Sequence, residues 1–168
     1  MPNTQENLAV AFAGESQANR KYLAFARHAE KEGYAQIAKL FRAAAEAETL
    51  HALAHFQNMG GVGSTVENLK AAVSGETYEF TEMYPPMVKT AEQEAHRGRH
   101  MLGYAAKAEK VHAGLFKQAL DALQSGADLS TMDVYVYLCP VCGDVEFGVV
   151  PEKCPICGAP AAKYQKIA

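Results

Sequence analysis

The chain has 168 residues, 49% of them hydrophobic, and a formal net charge of −3. That length suits one ordinary domain and a small module, and the charge balance gives no electrostatic reason to bind nucleic acid or an anionic membrane. No apolar run reaches the ~18 residues of a membrane span and no signal-peptide pattern opens the chain, so it reads as a cytoplasmic protein.

The first helix is expected over about Thr4 to Glu32, with Asn3 and Glu6 spaced as a capping box. Leu8, Ala11, Phe12, Tyr22, Leu23 and Phe25 recur at helical spacing along it. Gly33 suits a C-terminal cap, and a second helix follows from Ala35 to Asn58 before Gly60-Gly61. Ser64 and Glu67 repeat the capping-box pattern and open a short helix to about Val73. A third long helix is expected from Gly75 to Ala95, kinked or interrupted at Pro85-Pro86. The fourth runs from Arg97 or Arg99 to Gln124. The connection from Gly60 to Ser74 fits the crossover of a ferritin-like four-helix bundle. Ser125-Gly126-Ala127-Asp128 reads as a linker, and a turn-rich tail holds all four cysteines. The expected domains are 1–126 and 133–168.

A ligand pattern is written twice in the helical part. The segment from Thr4 to Glu15 returns from Thr65 to Glu76, an offset of 61 residues, and the same offset carries Glu48-x-x-His51 onto Glu109-x-x-His112. Residues three apart share a helix face, so each Glu-x-x-His presents an oxygen and a nitrogen to one point. Glu15 and Glu76 lie on the preceding helix of each hairpin. Four clustered carboxylates are costly without cations, and two metal ions remove that cost. Such ligation, rich in Glu and poor in His, favours iron or manganese over structural zinc. The halves differ at one position: Glu79 lies three residues after Glu76, where the first half has Ala18. His28, His96 and His100 have no counterpart in the repeat and read as surface or packing residues. His55 shares the His51 face but likewise lacks a counterpart. Tyr22 and Tyr84 fall near the ligand level, either bonding to carboxylates or packing in the core.

Cys139-Pro140-Val141-Cys142-Gly143 and Cys154-Pro155-Ile156-Cys157-Gly158 form two Cys-x-x-Cys knuckles with 11 residues between them. Two such turns make a tetrahedral sulfur site for zinc or a single iron. Without an export signal, two disulfides are the weaker reading. Tyr135, Tyr137, Phe147 and Tyr164 are expected to build an aromatic core around this site. The tail's lysines are offset by Asp133, Asp144, Glu146 and Glu152, unlike a basic nucleic-acid-binding ribbon.

With these residues in place, the chain resembles the rubrerythrin family over nearly its whole length. Ala11-Phe12-Ala13-Gly14-Glu15-Ser16-Gln17-Ala18, Glu48-Thr49-Leu50-His51, the run from Gly75 to Pro85 and Glu109-Lys110-Val111-His112 match its four ligand-bearing helices. The paired Cys-Pro-x-Cys-Gly motifs match its C-terminal rubredoxin-like domain. Two departures are visible: the gap between knuckles is slightly short, and Glu94-Ala95-His96 stands where the second hairpin turn commonly has Gly.

The resemblance implies a ferritin-like four-helix bundle holding two irons, followed by a small β/loop domain with one iron on Cys139, Cys142, Cys154 and Cys157, zinc being possible in purified protein. It implies that Glu48 and Glu109 bridge the irons, that Glu15 is terminal on one, and that Glu76 and His112 are terminal on the other. Glu79 and His51 would alternate on the first iron, which makes them the catalytic pair. The implied activity is reduction of hydrogen peroxide to water, with NAD(P)H electrons arriving through a separate reductase or rubredoxin and the sulfur-bound iron. A homodimer or higher homo-oligomer, with the tail serving a neighbouring subunit, belongs to the same expectation. A ferritin-type iron-oxidising storage protein and an interaction protein with zinc in its tail are the competing readings.

Overall fold

The computed structural model describes residues 2–129 and 135–167; the expected start of the tail domain at 133, and Asp133 with it, lie outside these. Two compact units divide the chain, Met1–Gly63 and Ser64–Ala168.

The first unit is a helical hairpin of α1 (Thr4–Lys31) and α2 (Ala35–Asn58). Both halves of the expected capping box form: Asn3 accepts from the Glu6 backbone N–H at 2.9 Å, and Glu6 accepts from the Asn3 N–H at 2.8 Å. Gly33 turns the chain at φ 87°, and the Tyr34 N–H closes on the Ala29 carbonyl. The seam is narrow and small. Ala38, Ala45 and Ala52 on α2 are buried at seven-residue spacing, facing Asn19 and Ala26 on α1. Asn19 is a buried polar residue in this seam and was not anticipated from sequence. Its amide donates to the Ala45 carbonyl at 2.7 Å and to Thr49 Oγ1 at 2.8 Å, tying the helices together beside Glu15 and Glu48. Phe12 stacks on Phe56 at 4.9 Å, and Tyr22 packs with Phe25 and Phe41, so Tyr22 takes the packing role.

The second unit opens with α3, Thr65–Tyr78, capped by Ser64 and Glu67 as expected. The separate short helix ending at Val73 does not occur, because Ser74 and Gly75 continue the helix. The interruption comes later, in a π-helical turn at Glu79–Met83 that leads into α4, Tyr84–Gln93. Pro85 and Pro86 lack the N–H groups that would extend α-helical bonding back into that turn. The Tyr84 N–H instead reaches the Glu79 carbonyl, five residues back, which is the π pattern. The turn therefore holds one residue more than an α-helical turn. The hairpin hydrogen bonds reflect it: Tyr34 N–H to Ala29 corresponds to His96 N–H to Ala91, at an offset of 62 rather than 61. At this second turn Ala95 takes a left-handed conformation, φ 50°, where the first hairpin has Gly33.

Helix α5, Arg99–Gln124, starts at the later of its two expected positions. The tail forms a three-stranded antiparallel sheet in the order β2–β1–β3, from β1 (Val136–Leu138), β2 (Val145–Phe147) and β3 (Gln165–Ile167). Val136 pairs with Phe147 on one side and Ile167 on the other. With strands this short, the buried centre of the tail is the cysteine cluster itself.

Candidate metal centres

In the first unit, α1 carries Glu15 and α2 carries Glu48 and His51, and their ligand atoms lie within 4.8 Å of one another. His51 Nδ1 stands 3.1 Å from Glu48 Oε2. In the second unit, Glu76 from α3 meets Glu109 and His112 from α5 under the same distance limit. His112 Nδ1 is 2.8 Å from Glu109 Oε2 and 3.5 Å from Glu76 Oε2. Each half of the repeat thus converges on its own two-carboxylate, one-imidazole donor set. Glu76 Oε2 is buried without a hydrogen-bond partner. A bound cation would satisfy that orphaned oxygen, so the donor set fits a metal ion.

Glu79 lies outside these two groups. It sits in the π turn, close enough to act on its neighbours. Burial pushes the Glu109 carboxyl up, His112 pulls it down, and Glu76 and Glu79 add to the rise. The Tyr84 phenol is raised by burial and by the charges of Glu109, Glu79 and Glu76, so it keeps its proton. Tyr84 therefore belongs to the carboxylate cluster electrostatically, whereas Tyr22 belongs to an aromatic cluster. His28 pairs with Glu32 at 3.3 Å, and His96 Nδ1 accepts from the Gly98 N–H. His55 joins neither donor set.

The second site is built from two similar turns. The Gly143 N–H bonds to the Cys139 carbonyl and the Gly158 N–H to the Cys154 carbonyl, both at 2.9 Å. Both glycines have left-handed φ, 88° and 75°, which the tight return of each knuckle requires. The Cys142 and Cys154 sulfurs are 3.4 Å apart and those of Cys139 and Cys157 are 3.7 Å apart. A tetrahedron with metal–sulfur bonds of about 2.3 Å has edges of about 3.8 Å, so the cluster is close to ligation geometry. Burial pushes the Cys142 and Cys157 thiols up. Cys154 goes the other way: burial raises it, but bonds from Tyr164 and the backbone N–H groups of Cys157 and Ile156 together bring it below its ordinary value. Four sulfurs at this spacing, three of them on buried cysteines, fit a shared cation that would hold them as thiolates.

The expected aromatic core is corrected in part. Tyr164 packs on the cysteines, but the other aromatic against them is Tyr104 of α5. Tyr135 is 49% exposed and lies under the Lys166 ammonium instead. Asp144 is not a surface charge. It is fully buried, its Oδ2 accepting from Tyr164 Oη at 2.5 Å and standing 3.5 Å from Cys154 Sγ, while Oδ1 has no partner.

A family model described as rubrerythrin matches residues 6–120, and one described as the rubrerythrin rubredoxin-like domain matches 137–165. The chain belongs to the rubrerythrin family. Rubrerythrin-2 of Clostridium acetobutylicum is 39% identical over 96% of this chain and 95% of its own length. Nigerythrin of Nitratidesulfovibrio vulgaris is 38% identical over 94% of this chain and 83% of its own. The solved structure of fully reduced, all-ferrous nigerythrin superposes with a TM-score of 0.58 at 34% identity, covering 99% of this chain and 88% of that one. The fold class is the family's: all-α and ferritin-like, followed by a small metal-binding β/loop module of rubredoxin type. Among the described residues, no helix is long and apolar enough to cross a membrane.

Proposed function

We propose that the chain is an oxidoreductase of peroxidase type, reducing hydrogen peroxide to two molecules of water with two electrons and two protons. In this reading Glu15, Glu48, His51, Glu76, Glu79, Glu109 and His112 hold two irons in a bundle spanning residues 1–126. Cys139, Cys142, Cys154 and Cys157 hold a third in a domain spanning 133–168. The electrons originate in NAD(P)H and enter through a separate reductase or rubredoxin. The setting is the cytoplasm, where thiolates stay reduced, and the working form is a homodimer or larger homo-oligomer.

The observation that carries this reading is the pairing of two carboxylate–imidazole donor sets with a four-sulfur site in one chain. A storage protein needs the first and has no use for the second. Bound iron would supply the electron pair that cleaves the peroxide O–O bond. The chain's own residues handle charge and protons. Tyr84 keeps its proton beside three carboxylates and so presents an O–H to an oxygen bound there. Glu79 projects from a π turn, whose bonding is looser than that of the α-helix on either side, so its carboxylate has room to enter or leave a metal's coordination. Ala18, at the equivalent place on α1, offers only a methyl group. The two halves are therefore chemically unequal where ligand exchange would occur.

The test combines metal content with turnover. Protein made in iron-replete cells should contain about three irons per chain and should consume peroxide faster than dioxygen when supplied with NADH and a generic reductase. Glu79→Ala should keep its metal and lose most of its peroxide turnover. Zinc on the cysteines, or full turnover in Glu79→Ala, would overturn the proposal.

A further inference from the structure

A cavity of about 420 Å³ lies between the α3–α5 pair and the tail sheet. Its wall is mostly hydrocarbon: Leu69 from α3, Leu115 and Phe116 from α5, and Val145 and Phe147 from β2. Glu76 and His112 break that pattern, and they are neighbours, with His112 Nδ1 3.5 Å from Glu76 Oε2. Glu76 Oε2 is also the buried oxygen without a hydrogen-bond partner. The polar part of the wall therefore belongs to one metal donor set, and the rest is apolar.

Hydrogen peroxide does not account for such a space. It needs roughly the room of two waters, about 60 Å³, and hydrocarbon walls offer it no hydrogen bonds. Small-ligand sites run to roughly 300–1,000 Å³ and pair an apolar lining with a few polar groups that fix orientation. The occupant this cavity suits has an apolar body and one oxygen-bearing end that the donor set's metal can hold.

We propose that the chain also reduces alkyl hydroperoxides, the alkyl body lying in this cavity and the hydroperoxy group at Glu76 and His112. The proposal rests on the peroxidase reading given above and adds a substrate class to it. One hydroperoxide, two electrons and two protons give one alcohol and one water. The O–O bond breaks, the electrons come from NAD(P)H as in that reading, and each oxygen takes up one proton. The alcohol keeps the alkyl body without the reactive bond, so it serves as an inert probe of the cavity.

Two measurements test this on the full-length protein. Zinc-loaded protein is diamagnetic and does not turn over. Hexanol should shift the carbon-13 methyl resonances of Leu69, Leu115 and Val145 saturably, and ethanol at the same concentration should not. Absence of saturable hexanol shifts overturns the proposal whatever the protein's activity. In iron-loaded protein supplied with NADH and a generic reductase, KM should fall from ethyl to hexyl hydroperoxide. The expected step is about fourfold per methylene, from the transfer free energy of a buried methylene; a flat series overturns the proposal. Ala119 of α5 also lines the cavity, and Ala119→Phe should fill it. The ratio of kcat/KM for hexyl hydroperoxide to that for hydrogen peroxide should then fall at least tenfold, and an unchanged ratio overturns the proposal. Should Ala119→Phe fail to fold, the hexanol titration and the chain-length series on the parent decide. Turnover of hydrogen peroxide alone refutes only the alkyl hydroperoxide assignment, whereas turnover of neither peroxide refutes the peroxidase reading and the assignment with it.

Discussion

Replacing Ala95 by glycine should make the protein more stable. Ala95 holds φ 50° in the turn between α4 and α5. For a residue with a Cβ the left-handed region costs roughly 1–2 kcal/mol, and glycine avoids this. Glycine adds back freedom to the unfolded chain, about 0.5–1 kcal/mol. The net gain is about 0.5–1 kcal/mol. Ala95 is exposed, so deleting its methyl removes no core packing. Gly33 offers the reciprocal experiment: it occupies the corresponding turn at φ 87°, and a Cβ there would meet nothing within 4 Å. Gly33→Ala therefore isolates backbone strain and should destabilise by about as much as Ala95→Gly stabilises. Urea unfolding followed by far-UV circular dichroism should show the midpoint moving up for one variant and down for the other, at unchanged slope. In a melting experiment, a chain of this size should shift by about 1–4 °C. A lower midpoint for Ala95→Gly, or a higher one for Gly33→Ala, would refute the strain argument.

The remaining expectations concern the two centres. Burial holds the Glu109 carboxyl above its ordinary value, so in the window above the ordinary carboxylate pKa the folded metal-free chain binds more protons than the unfolded one. Stability contributed by this group is then present at acid pH and falls as pH rises through that window. Metal-free Glu109→Gln should consequently be more stable than the parent at neutral pH, with the difference vanishing in acid; pH-dependent denaturation checks this. Tyr164→Phe removes the hydroxyl that Asp144 accepts from inside the cysteine domain. Leaving that buried carboxyl further unsatisfied should cost about 1–3 kcal/mol, read as faster loss of the cysteine-bound metal to a chelator. Stripping that metal should abolish hydrogen-exchange protection across Val136–Leu138, because three-residue strands do not hold a sheet on their own. The α1–α2 hairpin should keep its protection, and unchanged protection in the tail would contradict the account.

Much of the molecule was legible before any coordinate was known, because its strongest determinants are local. Asn3 with Glu6, and Ser64 with Glu67, announce helix starts through hydrogen bonds between residues three apart. Glu48-x-x-His51 and Glu109-x-x-His112 need only the helical repeat to place two donors on one face, and each Cys-x-x-Cys-Gly needs only its own turn. The 61-residue offset then links positions that the chain itself spaces. The π turn left a faint trace, a proline pair and a one-residue change of offset, that becomes readable only once the turn hydrogen bonds are seen.

Other features depended on segments that are distant in sequence. Asn19 looks like any polar helix residue until α2 is laid against α1 and its amide finds the Ala45 carbonyl. Asp144 counts as one more acidic residue until the folded tail buries it and brings up Tyr164 from 20 positions later. His112 reads as a ligand from its spacing to Glu109, but its second nitrogen meets Gly143 only because the tail folds back onto α5. Spacing along one helix or one turn is a local quantity that sequence specifies directly. Burial of a polar group and its choice of partner depend on how distant segments pack, and that was decided by the tertiary structure.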